Sequence, residues 1–219
     1  MNPPSSPGLA DIPLLYQDDA LLVLNKPAGL LSVPGRGADK QDCLSARVQA
    51  HFPDALVVHR LDMATSGLLL MARSADAQRA INHAFAEGRV EKRYVAQVAG
   101  LLEPDGMWRT IDLPIAVDWP HRPLRVIHAD GKASQTRWRC VAQDALRQCS
   151  HLELEPLTGR SHQLRVHMHA LGHPILGDAL YATAQVQAMA PRLLLHACTL
   201  SLVHPHTGTP MHWECPADF

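Results

Sequence analysis

Apolar residues in this chain come in short runs divided by turn-forming clusters, a pattern that predicts many strands and few helices. The stretch LLYQDDALLVLNKPAGLLSVP reads as two strands joined by a Gln-Asp-Asp turn. A second turn follows at Lys26-Pro27-Ala28-Gly29, where Pro fixes φ and Gly permits a positive one. Asp42 is the candidate cap of a helix running to about Phe52, and strands follow around Val58 and Leu70. In SADAQRAINHAFAEGR, Ala77, Ala80, Ile81, Ala84 and Phe85 form a stripe at helical spacing, opened by Ser74 or Asp76 and stopped at Gly88.

EKRYVAQVAGLL reads as a strand, Asp112 to Pro123 as irregular chain, and SQTRWRCVAQ with CSHLELEPL as a hairpin in which Leu152 and Leu154 alternate with polar neighbours. TGR then leads into a helix over SHQLRVHMHALG, with Ser161 as N-cap and Gly172 just past its end. Two last strands, near Leu200 and Met211, flank HPHTGTP. Strands that are mostly consecutive, with few βαβ alternations, place the chain in the α+β class, on a mixed, largely antiparallel sheet with flanking helices. Residues 1–12, rich in Pro and Ser, predict a flexible tail, and residues 13–219 a single domain.

A chain of 219 residues can bury a sizeable core, and 47% hydrophobic with 19% charged residues excludes disorder and a coiled coil. No apolar run reaches the roughly 20 residues of a membrane-spanning helix, and no signal peptide is recognisable, so a cytoplasmic protein with no membrane partner is expected. Five scattered cysteines without a CxxC pair predict reduced thiols. The net charge of -1 hides an uneven distribution: Arg60 to Arg93 holds six Lys/Arg against four Asp/Glu, and His121 to Arg165 eight against four. Tyr94 to Pro120 has one against four. The basic stretches predict a cationic face suited to a polyanion.

The loop from His59 to Gly67 joins two apolar strands and holds one acid, Asp62, two residues from Arg60. A neighbouring guanidinium favours the ionised carboxylate, which suits a nucleophile or base better than a proton donor. On the residues alone, Asp62 reads first as an acid that caps a turn through Thr65 and Ser66. Glycoside hydrolysis normally needs two carboxylates, whereas breaking one glycosidic bond and forming another without water needs one. His169 and His173 have the i, i+4 spacing of zinc ligands but lack an intervening Glu, so no metal and no cofactor are expected.

HRLDMATSGLLLMA resembles the central motif of the pseudouridine synthases. NKPAGLLSVP resembles the first motif of that family, EKRYVA its tyrosine strand, GRSHQLRVHMHALGHPILGD its arginine helix and RLLLHA its last motif. The blocks follow the family's order and are most similar to the RluA branch, which acts on ribosomal and transfer RNA without a guide RNA. The resemblance implies an RNA-modifying isomerase with a central RNA-binding cleft, working as a monomer on 23S rRNA and a tRNA anticodon stem-loop. It implies that Asp62 is the catalytic carboxylate, that Tyr94 lies against the uracil, that Arg165 pairs with the carboxylate, that Arg60 fills the gap left by a flipped base, and that Leu194 walls the base pocket. Lys26, Arg36, Arg122, Arg125, Lys132, Arg137 and Arg139 are candidates for phosphate contacts, with Trp138 facing inward between the last two. The alternatives are an RNA-binding factor without catalysis and a metal-dependent hydrolase built on the histidines.

Overall fold

The computed structural model describes residues 9–219. Contacts divide the chain into two compact units, where the sequence suggested one domain. The first takes residues up to Val90 together with Thr199–Cys215, and the second takes Glu91–Cys198 and Pro216–Phe219. Within the tail expected over 1–12, Leu9–Asp11 forms a 3-10 turn and Ile12 is buried. The remainder of that tail lies outside the described residues.

In the first unit, β1 (Leu14–Gln17) and β2 (Leu21–Lys26) form an antiparallel hairpin. Asp18 closes it, its Oδ1 accepting the N–H groups of Ala20 and Leu21 at 2.8 and 2.7 Å. Helix α1 (Leu44–Gln49) follows, capped by Cys43 and not by Asp42. Asp42 instead accepts two hydrogen bonds from Arg47, so its carboxylate is taken by a guanidinium before it can cap a backbone N–H. Strand β3 is only Leu56–Val57, while β4 (Ser66–Ala72) is buried throughout and pairs antiparallel with β2. Burial on both faces explains why β2 and β4 read as unbroken apolar runs. Helix α2 (Ala75–Ala86) starts where Ser74 Oγ accepts the N–H of Ala77, and it lays Ala77, Ile81 and Ala84 on Leu21, Val23, Leu68 and Leu70.

The second unit opens with β5 (Glu91–Ala99), β6 (Arg109–Asp112), β7 (Ile115–Val117) and β8 (Arg125–Ile127). It continues with β9 (Gln135–Asp144), β10 (Cys149–Pro156), α3 (Gln163–Ala170) and the short α4 (Ala184–Gln187). Strands β5, β10, β9 and β6 lie side by side in that order, and β7 pairs with β8 as a separate hairpin. Part of the stretch expected to be irregular is therefore strand. Burial alternates over Gln135–Cys140 of β9 and Leu152–Glu155 of β10, beyond a register shift between His151 and Leu152: Leu154 opposes Trp138 on the buried face, while Glu153 opposes Arg139 and Glu155 opposes Arg137 on the other.

Strand β11 (Leu195–Val203) carries the chain from the second unit back to the first, where it pairs antiparallel with β12 (Pro210–Glu214). The architecture is α+β, as the pattern of elements implied. Among the described residues no helix is long and apolar enough to cross a membrane.

Candidate active site

The loop that carries Asp62 in the first unit is fixed at several points. Ser32 Oγ donates to the carbonyl of Leu61 at 2.7 Å and accepts the N–H of the same residue at 3.1 Å. Gly29 N–H donates to Met63 O at 2.8 Å, and Gly29 has φ of 86°, a conformation that glycine adopts without a Cβ penalty. His59 Nε2 accepts the N–H of Leu70 at 2.9 Å, which ties the start of the loop to β4. Within the loop, Thr65 N–H reaches Asp62 O at 3.1 Å, closing a turn.

These bonds alternate the side chains. Leu61 is buried, Asp62 half-buried, and Arg60 and Met63 exposed. Asp62 thus presents a carboxylate at the end of a sheet on a backbone with little freedom, and Arg60 stands in solvent.

Lys26 is placed differently from the expectation. It is fully buried, and its Nζ donates to the carbonyls of Pro27, Leu30 and Met63 at 2.8, 2.7 and 3.1 Å. A side chain so enclosed cannot contact a phosphate. Burial pushes its pKa down from 10.5 to about 8, and the charge of Asp62 opposes the fall. Lys26 is therefore a structural cation that fastens the first-motif turn to the Asp62 loop and lies within electrostatic reach of the carboxylate. Arg36 is exposed in the same unit.

In the second unit Tyr94 sits on β5 opposite Leu154 and is half-buried, so it is not simply core. Leu194 is 5% exposed; its N–H donates to Leu176 O at 3.0 Å and its carbonyl accepts Gln97 N–H at 3.1 Å. Its side chain packs with Cys149 and Leu176. Arg165, on α3, is 4% exposed and donates from Nε and Nη2 to the two oxygens of Asp178 at 2.8 and 2.6 Å. Asp178 was not singled out in the sequence, although the Gly-Asp pair ending GHPILGD is where a turn acid would be sought.

The N-cap of helix α3 is His162, in the left-handed region with φ of 59°, and not Ser161. The turn before it is organised by buried Gln163, whose Oε1 accepts from Thr158 Oγ1 and Arg160 N–H while its Nε2 donates to Gln135 O. His167 is fully buried between Thr136 Oγ1 at 2.9 Å and Leu113 O at 3.0 Å, and burial holds its pKa below the usual 6.5. A carbonyl can only accept, so Nε2 carries the proton and Nδ1 accepts from the threonine hydroxyl. His173 lies past the end of α3, with Nδ1 at 2.8 Å from Ala99 O, so it does not share a helix face with His169.

The remaining cations divide in two. Arg125 lies on β8, Arg122 in the connection before it, and Lys132 bonds through its backbone to Ile115 of β7; Arg122 and Lys132 are exposed. Arg122 stacks at 4.7 Å on Trp119, which is 67% exposed. Arg137 and Arg139 face outward as expected, with Trp138 inward, but Glu155 and Glu153 pair with them and Trp108 covers both guanidinium groups at 4.8 Å. Those glutamates take up much of the charge that was assigned to phosphates.

Comparison with known proteins gives a consistent result. The profile of a family described as RNA pseudouridylate synthase matches residues 20–170. The dual-specificity RNA pseudouridine synthase RluA of Escherichia coli K12 is 49% identical over 220 residues, covering 100% of this chain and 97% of the relative. The protein of that name from Vibrio parahaemolyticus is 45% identical, with 100% and 87% covered. Among solved structures, human RNA pseudouridylate synthase domain containing 1 aligns with a TM-score of 0.79 at 28% identity, over 98% of this chain and 87% of the other.

Proposed function

Because the chain belongs to the RNA pseudouridylate synthase family of isomerases, we propose that it converts uridine to pseudouridine in structured RNA with Asp62 as the reacting carboxylate. The observation that carries this reading is the setting of Asp62. It is the lone acid of a loop held by Ser32, Gly29 and Lys26, half open to solvent, with a buried ammonium beneath the same loop. The reaction breaks the C1′–N1 bond and forms a C1′–C5 bond, the hydrogen at C5 leaving to solvent while N1 gains one. No water is consumed, so one carboxylate suffices, acting as nucleophile at C1′ or as base on the 2′ hydrogen.

Either role requires the anion. Arg165 supplies a cation for it, Tyr94 lies against the uracil and Leu194 walls the base pocket. Arg60 occupies the vacated place in the stack, because extracting a base costs a few kcal/mol and a planar guanidinium stacks well. Arg36, Arg122, Arg125 and Lys132 contact phosphates; Lys26 leaves that list for the structural reason given above. The enzyme works as a monomer in the cytoplasm, needs no cofactor, and acts on 23S rRNA and on a tRNA anticodon stem-loop; the term dual-specificity in its relatives' names supports two kinds of RNA target. Mapping pseudouridine in both RNAs from cells with and without the gene tests this. Loss of one site in each is expected, and unchanged maps would contradict it.

A further inference from the structure

The mechanism gives Arg165 a charge but does not say what aims it. Two parallel hydrogen bonds to Asp178, at 2.8 and 2.6 Å, fix the plane of the guanidinium as well as its position. The ring of Tyr181 lies 5.1 Å from Cζ and closes one face. Asp178, itself 1% exposed, is held in turn: its Oδ1 accepts the N–H of Leu180 at 2.9 Å and of Tyr181 at 3.2 Å. Burial alone would raise its pKa, but Arg165 and the two N–H groups outweigh that and keep the carboxyl below its usual range.

The preceding residue explains how Asp178 reaches this place. Gly177 has φ of +74°, and a Cβ there would lie 1.8 Å from the carbonyl oxygen of Arg192. Only glycine lets the chain pass so close to the segment leading into Leu194, whose N–H donates to Leu176 O. The loop that aims Arg165 and the segment that carries Leu194 are thus joined backbone to backbone.

We propose that Asp178 is a positioning residue for the isomerisation, holding the Arg165 guanidinium in the one orientation that serves the reacting carboxylate. The inference rests on the assignment of Arg165 made above. An arginine released from Asp178 keeps its charge but spreads it over many rotamers, so the rate should suffer and RNA affinity should not.

The test uses the full chain and an anticodon stem-loop tritiated at uracil C5. Asp178→Asn keeps the shape but turns an amide N–H toward the guanidinium, and kcat should fall at least about tenfold while KM stays within about threefold. Arg165→Met should be impaired on its own, and adding Asp178→Asn to it should lower kcat no further, because nothing is left to aim. A further fall in the double variant, or a fall in RNA binding that matches the loss of rate, would mark a merely structural residue and overturn the proposal. Wild-type kcat in Asp178→Asn beside an impaired Arg165→Met would also overturn it, leaving the role of Arg165 intact. Wild-type kcat in Arg165→Met would overturn both. If Asp178→Asn does not fold, Asp178→Glu is read the same way: a carboxylate displaced by one methylene should lower kcat with RNA binding retained, and unchanged kcat would refute the proposal.

Discussion

Lys26→Met removes the cation that fastens the Asp62 loop while keeping a side chain of similar length. Three carbonyl acceptors, on Pro27, Leu30 and Met63, lose their donor. Hydrogen bonds to a charged group contribute about 1.5–3 kcal/mol each, so their loss costs about 4–9 kcal/mol. Against that, moving the amine from 10.5 to about 8 costs roughly 3 kcal/mol while it is charged in the fold, and methionine does not carry this cost. The net destabilisation near neutral pH is therefore about 1–6 kcal/mol.

The pH dependence has a definite sign. The folded amine loses its proton near 8 and the unfolded one near 10.5, so the unfolded chain binds more protons between them. The stability contribution is complete above 10.5 and is lost as pH falls through 8. Urea denaturation of both proteins across this window should show wild type gaining up to roughly 3 kcal/mol on the variant as pH rises. A gap that stays constant or narrows, or a variant as stable as wild type near neutral pH, would refute the placement of this side chain.

Arg60→Ala should slow turnover on a closed stem-loop by about tenfold or more relative to an unstacked uridine in a short single strand, since only the former pays for unstacking; equal effects in a comparison of kcat/KM would remove its role in flipping. His167→Gln should flatten the acid side of the stability curve: the histidine's contribution is complete above 6.5 and is lost as pH falls through its lowered folded value. Thermal unfolding of both proteins at a series of acidic pH values checks this, and parallel curves would contradict the buried, neutral ring.

Much of the fold was legible because local signals agreed with tertiary ones. Ser74 caps α2, whose buried residues Ala77, Ile81 and Ala84 all lie in the apolar stripe read from the sequence, and β9 and β10 alternate because one face meets the core. Strands β6, β7 and β8 were missed because elements of three or four residues are too short for a period to register. Ser161 was the better cap on propensity, but Gln163 satisfies the turn through Thr158 and Arg160, and the N-cap position falls on His162.

The loop carrying Asp62 and Arg60 was legible from its one acid between two strands. The true setting of Lys26 was not, because three backbone acceptors distant in sequence or hidden in a turn leave no residue signature. Nor did the sequence couple Arg137 and Arg139 to Glu155 and Glu153, a partnership set by strand register. Asp178 was invisible for a related reason, as its meaning depends on an arginine thirteen positions away.

Release of tritium to water from C5-labelled uridine in tRNA and ribosomal RNA, by the wild-type chain and by Asp62→Asn, tests the central claim. The wild-type chain should release label without added metal or cofactor, and the variant should bind RNA with near wild-type affinity and release none above background. Release by the variant at the wild-type rate, or none by the wild-type chain from either RNA, would contradict the assignment of a single reacting carboxylate to this loop.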